Sequence, residues 1–473
     1  MEFQGKKADA MEVDEPVSPT GQYFNSSVLS ICILCALESD IPIDDSQTYF
    51  LLKNLFIPIN PRFSSIMVKD EHGVKQWKRV DVKVEDHVHV PIFPDGLSPE
   101  SYDEYLQEYL SKIAMERLPQ SRPLWEIHSI KYPTSNAAGS VVFKLHHALG
   151  DGFSLMGALF SCLRRADNPS LPLTFPSSKQ GGLSSDYKRN SIFKRVTGLL
   201  SMFVNTTSDF AWSILKSSFV EDDRTPIRSG HEGVEFRPVI ISTVTFSLDQ
   251  IKQIKDKLGG TINDVITGII FYGTRLYMQI SGSPGSSNAH STALVLLNTR
   301  AINNYLSVTE MNKQDSKSPW GNQFGFLHVS IPNSDDSELA NPLDFVYKGR
   351  EIIQKKKGSL AVFLTGRLLE MMRKFRGPET TAQYVHSTLT NSSMTISNMI
   401  GPMEQMSLAD HPARGLYFMV VGIPQSLTIT MVSYMGKLKV AVGVEKDFIN
   451  EKLYISCLEK AFTRIFEAAV SSP

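Results

Sequence analysis

Cysteine is scarce in this sequence: Cys32, Cys35, Cys162 and Cys457 are the whole complement in 473 residues. That count argues against a disulfide framework, and it suits a reducing compartment such as the cytosol. Cys32 and Cys35 form a C-x-x-C, but inside the apolar, β-branched run SVLSICILCALES. On a strand, residues three apart point to opposite faces, so the pair reads as buried free thiols rather than a zinc or redox site. Charge of one sign is also missing. With 48 Lys and Arg against 49 Asp and Glu, the formal net charge is −1. This argues against nucleic acid as a partner, although a local patch can still meet a membrane. No uncharged apolar run reaches the roughly 18–20 residues of a spanning helix. Residues 1–21 lack the apolar core of a signal peptide and read as a polar, acidic, disordered tail. The acceptor triplets at Asn25, Asn205 and Asn391 would matter only in a secreted protein. A hydrolase elbow is missing too, because GGLSSD has no strand before it and no helix after it.

What is there is a long chain, 42% hydrophobic and 21% charged, with material for more than one α/β layer. From Val80 the segment VDVKVEDHVHVPIF alternates as a half-buried strand. His87 and His89 share a face there and read as solvated or hydrogen-bonded, since no third metal ligand is near. Ser98-Pro99 opens a helix, with Tyr102, Tyr105, Leu106, Tyr109, Leu110 and Ile113 as its packed stripe. Residues 167–236 begin with a Ser, Pro and Gly-rich linker. They continue into Ser191 to Phe219, where Ile192, Val196, Leu199 and Phe203 line one helical face behind a basic start. That helix fits two roles, a crossover between domains or a segment lying in a membrane interface. After Arg237, Ser247 and Gln250 make a capping box, Gly259 ends its helix, and Thr261 with Asp264 caps the next. The last part alternates strands, with a turn at Met435-Gly436, and closes in an amphipathic helix.

The chemistry concentrates in VVFKLHHALGDGFSLMGAL, residues 141–159. A strand ending near His146 sets His147 at an exposed end, where a base must be. Gly150 and Gly152 permit positive φ and let the loop fold back. Asp151 either reaches the ring or props the loop, and it is equally a good N-cap for the helix that follows. Phe153, Met156, Leu159, Phe160 and Leu163 then line one helical face, which Arg164 and Arg165 close. On residue chemistry alone, a catalytic base and a helix cap both remain open.

HHALGDG matches the HHxxxDG motif of the CoA-dependent acyltransferase superfamily. Companion segments narrow the likeness: RPLWEIHSI, TINDVITG, LVLLNTR and SNMIGP resemble segments of the plant-type wax ester synthase/diacylglycerol acyltransferase family. The likeness runs from about Pro16 to Val470, while GNQFGF is no equivalent of the DFGWG segment of hydroxycinnamoyl transferases. The resemblance implies two α/β acyltransferase subdomains with mixed sheets, residues 22–166 and 237–473, meeting at an active-site tunnel. It implies His147 as general base, with Asp151 holding the loop and His146, Gly150, Gly152, Pro123 and Trp125 as structural support. Asn263 is a candidate oxyanion donor or tunnel residue; Asn298 and Arg300 are expected at the subdomain interface, with Arg300 also a candidate for the CoA phosphates. The implied partners are long-chain acyl-CoA as co-substrate, fatty alcohol, diacylglycerol and a membrane surface. No metal or other cofactor is implied. The implied location is the cytosolic face of the endoplasmic reticulum, with the cell membrane as a second site. Transfer to another alcohol or amine, or non-catalytic lipid binding on the same fold, are the alternatives.

Overall fold

The computed structural model describes residues 15–71, 74–176, 206–282, 289–300, 307–313, 316, 320–333, 341–357 and 359–471. Two mixed sheets carry the architecture, with helices on their faces. The first runs, edge to edge, through Val88–His89, Trp125–Ile130, Gly139–His146, Cys32–Ser39, His411–Val421, Met406–Leu408 and Arg164–Arg165. The second runs through Phe324–Ser330, Thr292–Asn298, Met394–Ile400, Leu427–Tyr434, Lys437–Glu445 and Val239–Ser247. Each sheet organises its own buried apolar cluster, so there are two subdomains.

The motif strand Gly139–His146 is central, flanked by Trp125–Ile130 and Cys32–Ser39, and its burial on both faces explains its near-continuous apolar sequence. Its one charge, Lys144, is 1% exposed and is compensated: Nζ donates to the Glu116 carbonyl at 2.7 Å and lies 3.9 Å from Glu126. Cys32 and Cys35 point to opposite faces of the neighbouring strand. Burial pushes both thiols up to about 12, which makes them inert packing groups.

The caps form as their residues dictate. Ser98 accepts from Ser101 N, Ser247 from Gln250 N, and Thr261 with Asp264 closes a capping box. Gly259 ends its helix at φ 59°. Met435 and Gly436, both at positive φ, make the two-residue loop that pairs Tyr434 with Lys437.

Four expectations need correcting. The tail ends earlier than residue 21: Glu15–Pro16 pairs with Lys75–Arg79, and Pro19–Phe24 is a helix with Phe24 only 1% exposed. The division at 237 fails for Met406–Leu408 and His411–Val421, which leave the second half of the chain and pair into the first sheet. Most of the second, GLYFMVVG, reads as a strand from its sequence, but Met406–Leu408 does not, and no local pattern names the partners of either. Arg164 and Arg165 do not close the motif helix, which stops at Ser161; they form an edge strand against Met406 and Ser407. The strand expected from Val80 is instead Lys75–Arg79, a short 3₁₀ turn Val84–His87 and the two-residue strand Val88–His89. His87 therefore faces inward, donating from Nδ1 to the Trp125 carbonyl at 2.6 Å, while His89 sits 3.6 Å from Glu126. The expected face of Ile192, Val196, Leu199 and Phe203 lies outside the described residues. Residues 206–218 are helical, and Trp212, Leu215 and Phe219 at their end are exposed.

Candidate active site

His147 follows the last residue of the motif strand. Its N–H still donates to the Ile31 carbonyl at 2.9 Å, which holds the backbone in line with the neighbouring strand. The chain then turns, with Leu149 N donating to His146 O at 3.0 Å, and reaches Asp151, the N-cap of helix Gly152–Ser161.

The His147 ring is buried, 5% exposed, between Phe24 and Phe324 at centroid distances of 4.9 and 5.3 Å. Nδ1 meets Asn322 Oδ1 at 2.9 Å, and Asn322 Nδ2 donates to the His147 carbonyl at 3.0 Å. The second bond fixes the amide: its nitrogen faces a carbonyl, so its oxygen must accept from Nδ1–H. The tautomer is thereby set, and the lone pair falls on Nε2, which makes no hydrogen bond to a described residue. Burial holds this imidazole below its ordinary 6.5, while the Asp151 charge and the Asn322 bond pull the other way. The ring is neutral at physiological pH, with one nitrogen held and the other available to take a proton.

Asp151 does something else. Its Oδ1 accepts from Ser154 N at 2.9 Å and from Arg300 Nη2 at 3.1 Å; its Oδ2 accepts from Gln323 N at 2.8 Å and from Arg300 Nη1. The Arg300 side chain is fully buried and also donates to Ser154 Oγ and the Gly321 carbonyl. Arg300 is thus an interface residue, as expected, and it is turned inward rather than toward a phosphate. Trp320 Nε1 donates to the Leu149 carbonyl at 2.7 Å and completes a clasp of residues 320–323 around the motif loop. The two open readings of Asp151 resolve into one: it caps the helix and props the loop, and the group on the His147 ring is Asn322.

Neither glycine has positive φ, and of the two only Gly150 is short of space. A Cβ on Gly150 would sit 3.0 Å from Ser154 Cβ, tighter than ordinary contact, whereas one on Gly152 would meet Met399 Sδ at an ordinary 3.5 Å. His146 is fully buried: Nδ1 accepts from Ala148 N at 3.1 Å and Nε2 meets Ser30 Oγ at 3.3 Å. Burial pushes it down to about 3, so it is a neutral bracket for the turn. Trp125 is 0% exposed, stacks on His87 and donates to the Phe63 carbonyl, while buried Pro123 precedes it. Asn263 is exposed in the first turn of its helix, and its Oδ1 accepts from Asn398 Nδ2 at 2.9 Å. Sequence reasoning missed Phe24, Asn322 and Phe324. Asn322 lies in GNQFGF, a segment set aside because it lacks a transferase motif.

Residues 57–266 match the family model of the wax ester synthase/diacylglycerol acyltransferase catalytic domain, and residues 320–466 match the C-terminal domain of the same family. Wax ester synthase/diacylglycerol acyltransferase 4 of Arabidopsis thaliana is 31% identical over 94% of this chain and 88% of its own length. The chain belongs to the wax ester synthase/diacylglycerol acyltransferase family. It is therefore an acyl-CoA-dependent O-acyltransferase. A second Arabidopsis member, number 11, is 30% identical over 93% of this chain and 91% of its own. Among solved structures, the wax ester synthase/diacylglycerol acyltransferase from Marinobacter aquaeolei VT8 superposes with a TM-score of 0.60 at 15% identity, covering 96% of this chain and all of that one. The first condensation domain of the calcium-dependent antibiotic synthetase gives 0.53 at 12% identity, over 93% and 91%. At these identities the likeness is one of fold, and it covers both subdomains of this acyltransferase.

Proposed function

We propose that this acyltransferase moves a long-chain acyl group from acyl-CoA to a fatty alcohol, forming a wax ester, and to diacylglycerol, forming triacylglycerol. The observation that carries the mechanism is the neutral, tautomer-fixed ring of His147. Its Nε2 takes the hydroxyl proton as the alcohol oxygen attacks the thioester carbonyl. The tetrahedral adduct collapses, the C–S bond breaks, and the imidazolium returns its proton to the departing thiolate. Proton, nucleophile and leaving group are all provided for by His147 and the two substrates, so acyl-CoA is assigned as co-substrate with no cofactor. Proton transfer by a positioned side chain is worth about 10² to 10⁴ in rate, and holding both reactants in one site adds to it.

The reading extends to a membrane surface. No described helix is long and apolar enough to cross a membrane. The first half of helix Ala361–Thr390, before its break at Gly377, presents Phe363, Met371 and Phe375 at 55%, 57% and 74% exposure. Arg367, Arg373, Lys374 and Arg376 accompany them, with Glu370 the lone acid. An exposed apolar stripe with basic neighbours suits the interface of an anionic bilayer. Leu369 of the same helix packs on the cluster that holds Phe24, the neighbour of His147. We assign this surface to the cytosolic face of the endoplasmic reticulum, with the cell membrane as a second location.

Purified protein given palmitoyl-CoA and hexadecanol, then palmitoyl-CoA and diacylglycerol, tests the reaction. CoA release with ester formation, lost in His147→Ala, is the expected result; equal turnover in the variant overturns the base assignment. Flotation on anionic vesicles tests the surface: wild type should float and Met371→Glu/Phe375→Glu should stay below. Equal flotation of both, or of neither, rejects this helix as the contact. Cell fractionation against reticulum and cell-membrane markers tests the location.

A further inference from the structure

A base beside a thioester takes a proton from any hydroxyl, and water carries one. Nothing in the hydrogen bonding of His147 tells a lipid alcohol from water. Nδ1 is committed to Asn322, and Asp151 is committed to Arg300, Ser154 N and Gln323 N. Neither contact senses what the hydroxyl is attached to. An acyltransferase needs that distinction, because attack by water yields a fatty acid and consumes the donor. The distinction has to come from what packs around the ring.

We propose that Phe24, together with Phe324, selects the alcohol against water by keeping the surroundings of the His147 ring apolar. Phe24 is 1% exposed, and its ring centre lies 4.9 Å from that of His147. Phe324, on the edge strand of the second sheet, lies 5.3 Å away, and the two phenyl rings are parallel within 3°. The backbone sets Phe24 in register with the base. His147 N donates to the Ile31 carbonyl at 2.9 Å, and Ile31 N donates to the Phe24 carbonyl at 3.4 Å. Helix Pro19–Phe24 is also seated on the motif loop itself: a Cβ on Gly21 would lie 3.3 Å from the Ala148 carbonyl, closer than ordinary contact. Behind the rings the packing stays apolar, with Leu29, Ile31, Leu294, Val385 and Leu389 in one buried cluster with Phe24. A buried water needs about two to four polar partners. Phenyl rings supply none, and the neighbouring polar atoms are already used: His146 meets Ala148 N and Ser30 Oγ, and the Asn322 amide is spent on His147.

This selection rests on the base assignment above and names what the site rejects. Phe24 and Phe324 act through the surroundings of the base and take no proton, so they are positioning residues. With either wall opened, water replaces the alcohol. Its oxygen attacks the thioester carbonyl as Nε2 takes its proton, the C–S bond breaks, and the imidazolium proton goes to the departing thiolate. The products are a fatty acid and CoA, and no further reactant is needed. The opened enzyme is therefore a thioesterase built on the same histidine.

Purified wild type, Phe24→Leu, Phe24→Ser, Phe324→Ala, His147→Gln and the double variant Phe24→Ser/His147→Gln are given palmitoyl-CoA with and without hexadecanol, in oxygen-labelled water. Ester and labelled palmitate are measured separately. Wild type should make ester and little palmitate. Phe24→Ser should shift the partition toward palmitate about tenfold or more, the equivalent of ~1.4 kcal/mol between the two barriers. Phe324→Ala opens the other wall from a separate element and should shift it the same way, whether or not Phe24→Ser folds. Phe24→Leu keeps an apolar wall and should keep the wild-type partition. The hydrolysis gained in Phe24→Ser should fall about 10²- to 10⁴-fold in the double variant, because the water uses the same base. A packing defect alone lowers ester and acid together and leaves their ratio fixed; an unmoved ratio in the serine and alanine variants overturns the proposal. Rapid palmitate release by wild type overturns it too. If His147→Gln makes ester as fast as wild type, the base assignment fails and this proposal with it. If His147→Gln is inactive and the partition stays put, the base assignment stands and the exclusion of water by these rings fails alone.

Discussion

The two ends of the loop HHALGDG are built on opposite plans. At one end, His147 is held by a single amide, Asn322, and keeps Nε2 available. At the other, Asp151 has both oxygens engaged by Arg300, Ser154 N and Gln323 N. A carboxylate so occupied has no capacity left to take part in proton transfer. The ring, packed between Phe24 and Phe324, has one nitrogen hydrogen-bonded and the other not bonded to a described residue. The difference teaches that a short motif can divide its labour within five residues, with an unengaged ring nitrogen at its first part and a fully engaged carboxylate at its last.

Mutations at the two ends should fail in different currencies. His147→Gln, which nearly keeps the buried volume, is the largest effect, a loss of about 10² to 10⁴ in kcat/KM, with thermal unfolding near wild type. A large fall in melting temperature would break the contrast. Arg300→Met leaves the buried Asp151 without its cation and should cost roughly 3–5 kcal/mol in stability, measured by chemical denaturation. A variant with wild-type stability and lost turnover would move Arg300 to the chemical side. Asn322→Ala lets the ring lose its tautomer and orientation, and turnover should fall up to about 10²-fold.

Asn322→Asp sharpens the point through pH. Burial lowers the His147 pKa, so wild-type kcat/KM should stay flat as pH falls through 6.5 and decline only below it. A carboxylate at 322 raises that pKa, and the acid limb should move to higher pH; an unmoved limb would refute the Asn322 contact. His146 gives a smaller effect on stability. Its folded value is about 3 against an ordinary 6.5, so the unfolded chain takes up a proton first on acidification. The stability it supports is full above 6.5 and is lost as pH falls toward 3. His146→Gln should flatten that part of the acid dependence, and an identical acid profile would assign it elsewhere. Asn263→Ala, on the surface, should change stability by no more than about 0.5 kcal/mol.

What was legible in the sequence was local. The strand, the histidine that follows its end and the Asp151 cap lie within a dozen residues, where spacing carries the information. The helix caps at Ser98, Ser247 and Thr261 were equally readable. The group that orients His147 is 175 residues away, and the cation on Asp151 is 149 away. No periodicity links such positions; only the docking of the two subdomains does. Reading the glycines as positive-φ residues failed for a similar reason, because the neighbours that crowd Gly150 include Trp320 from the distant clasp.

Strand His411–Val421 has a consequence for how the chain is made. It closes the side of Cys32–Ser39 that faces away from the motif strand. Every residue of Cys32–Ser39 is buried in the finished protein. During synthesis from the N-terminus, that edge stays open until Val421 has left the ribosome, after most of the chain. An open edge of buried residues is a template for wrong pairing. The nascent first half thus carries an unpaired edge prone to wrong pairing until His411–Val421 is made.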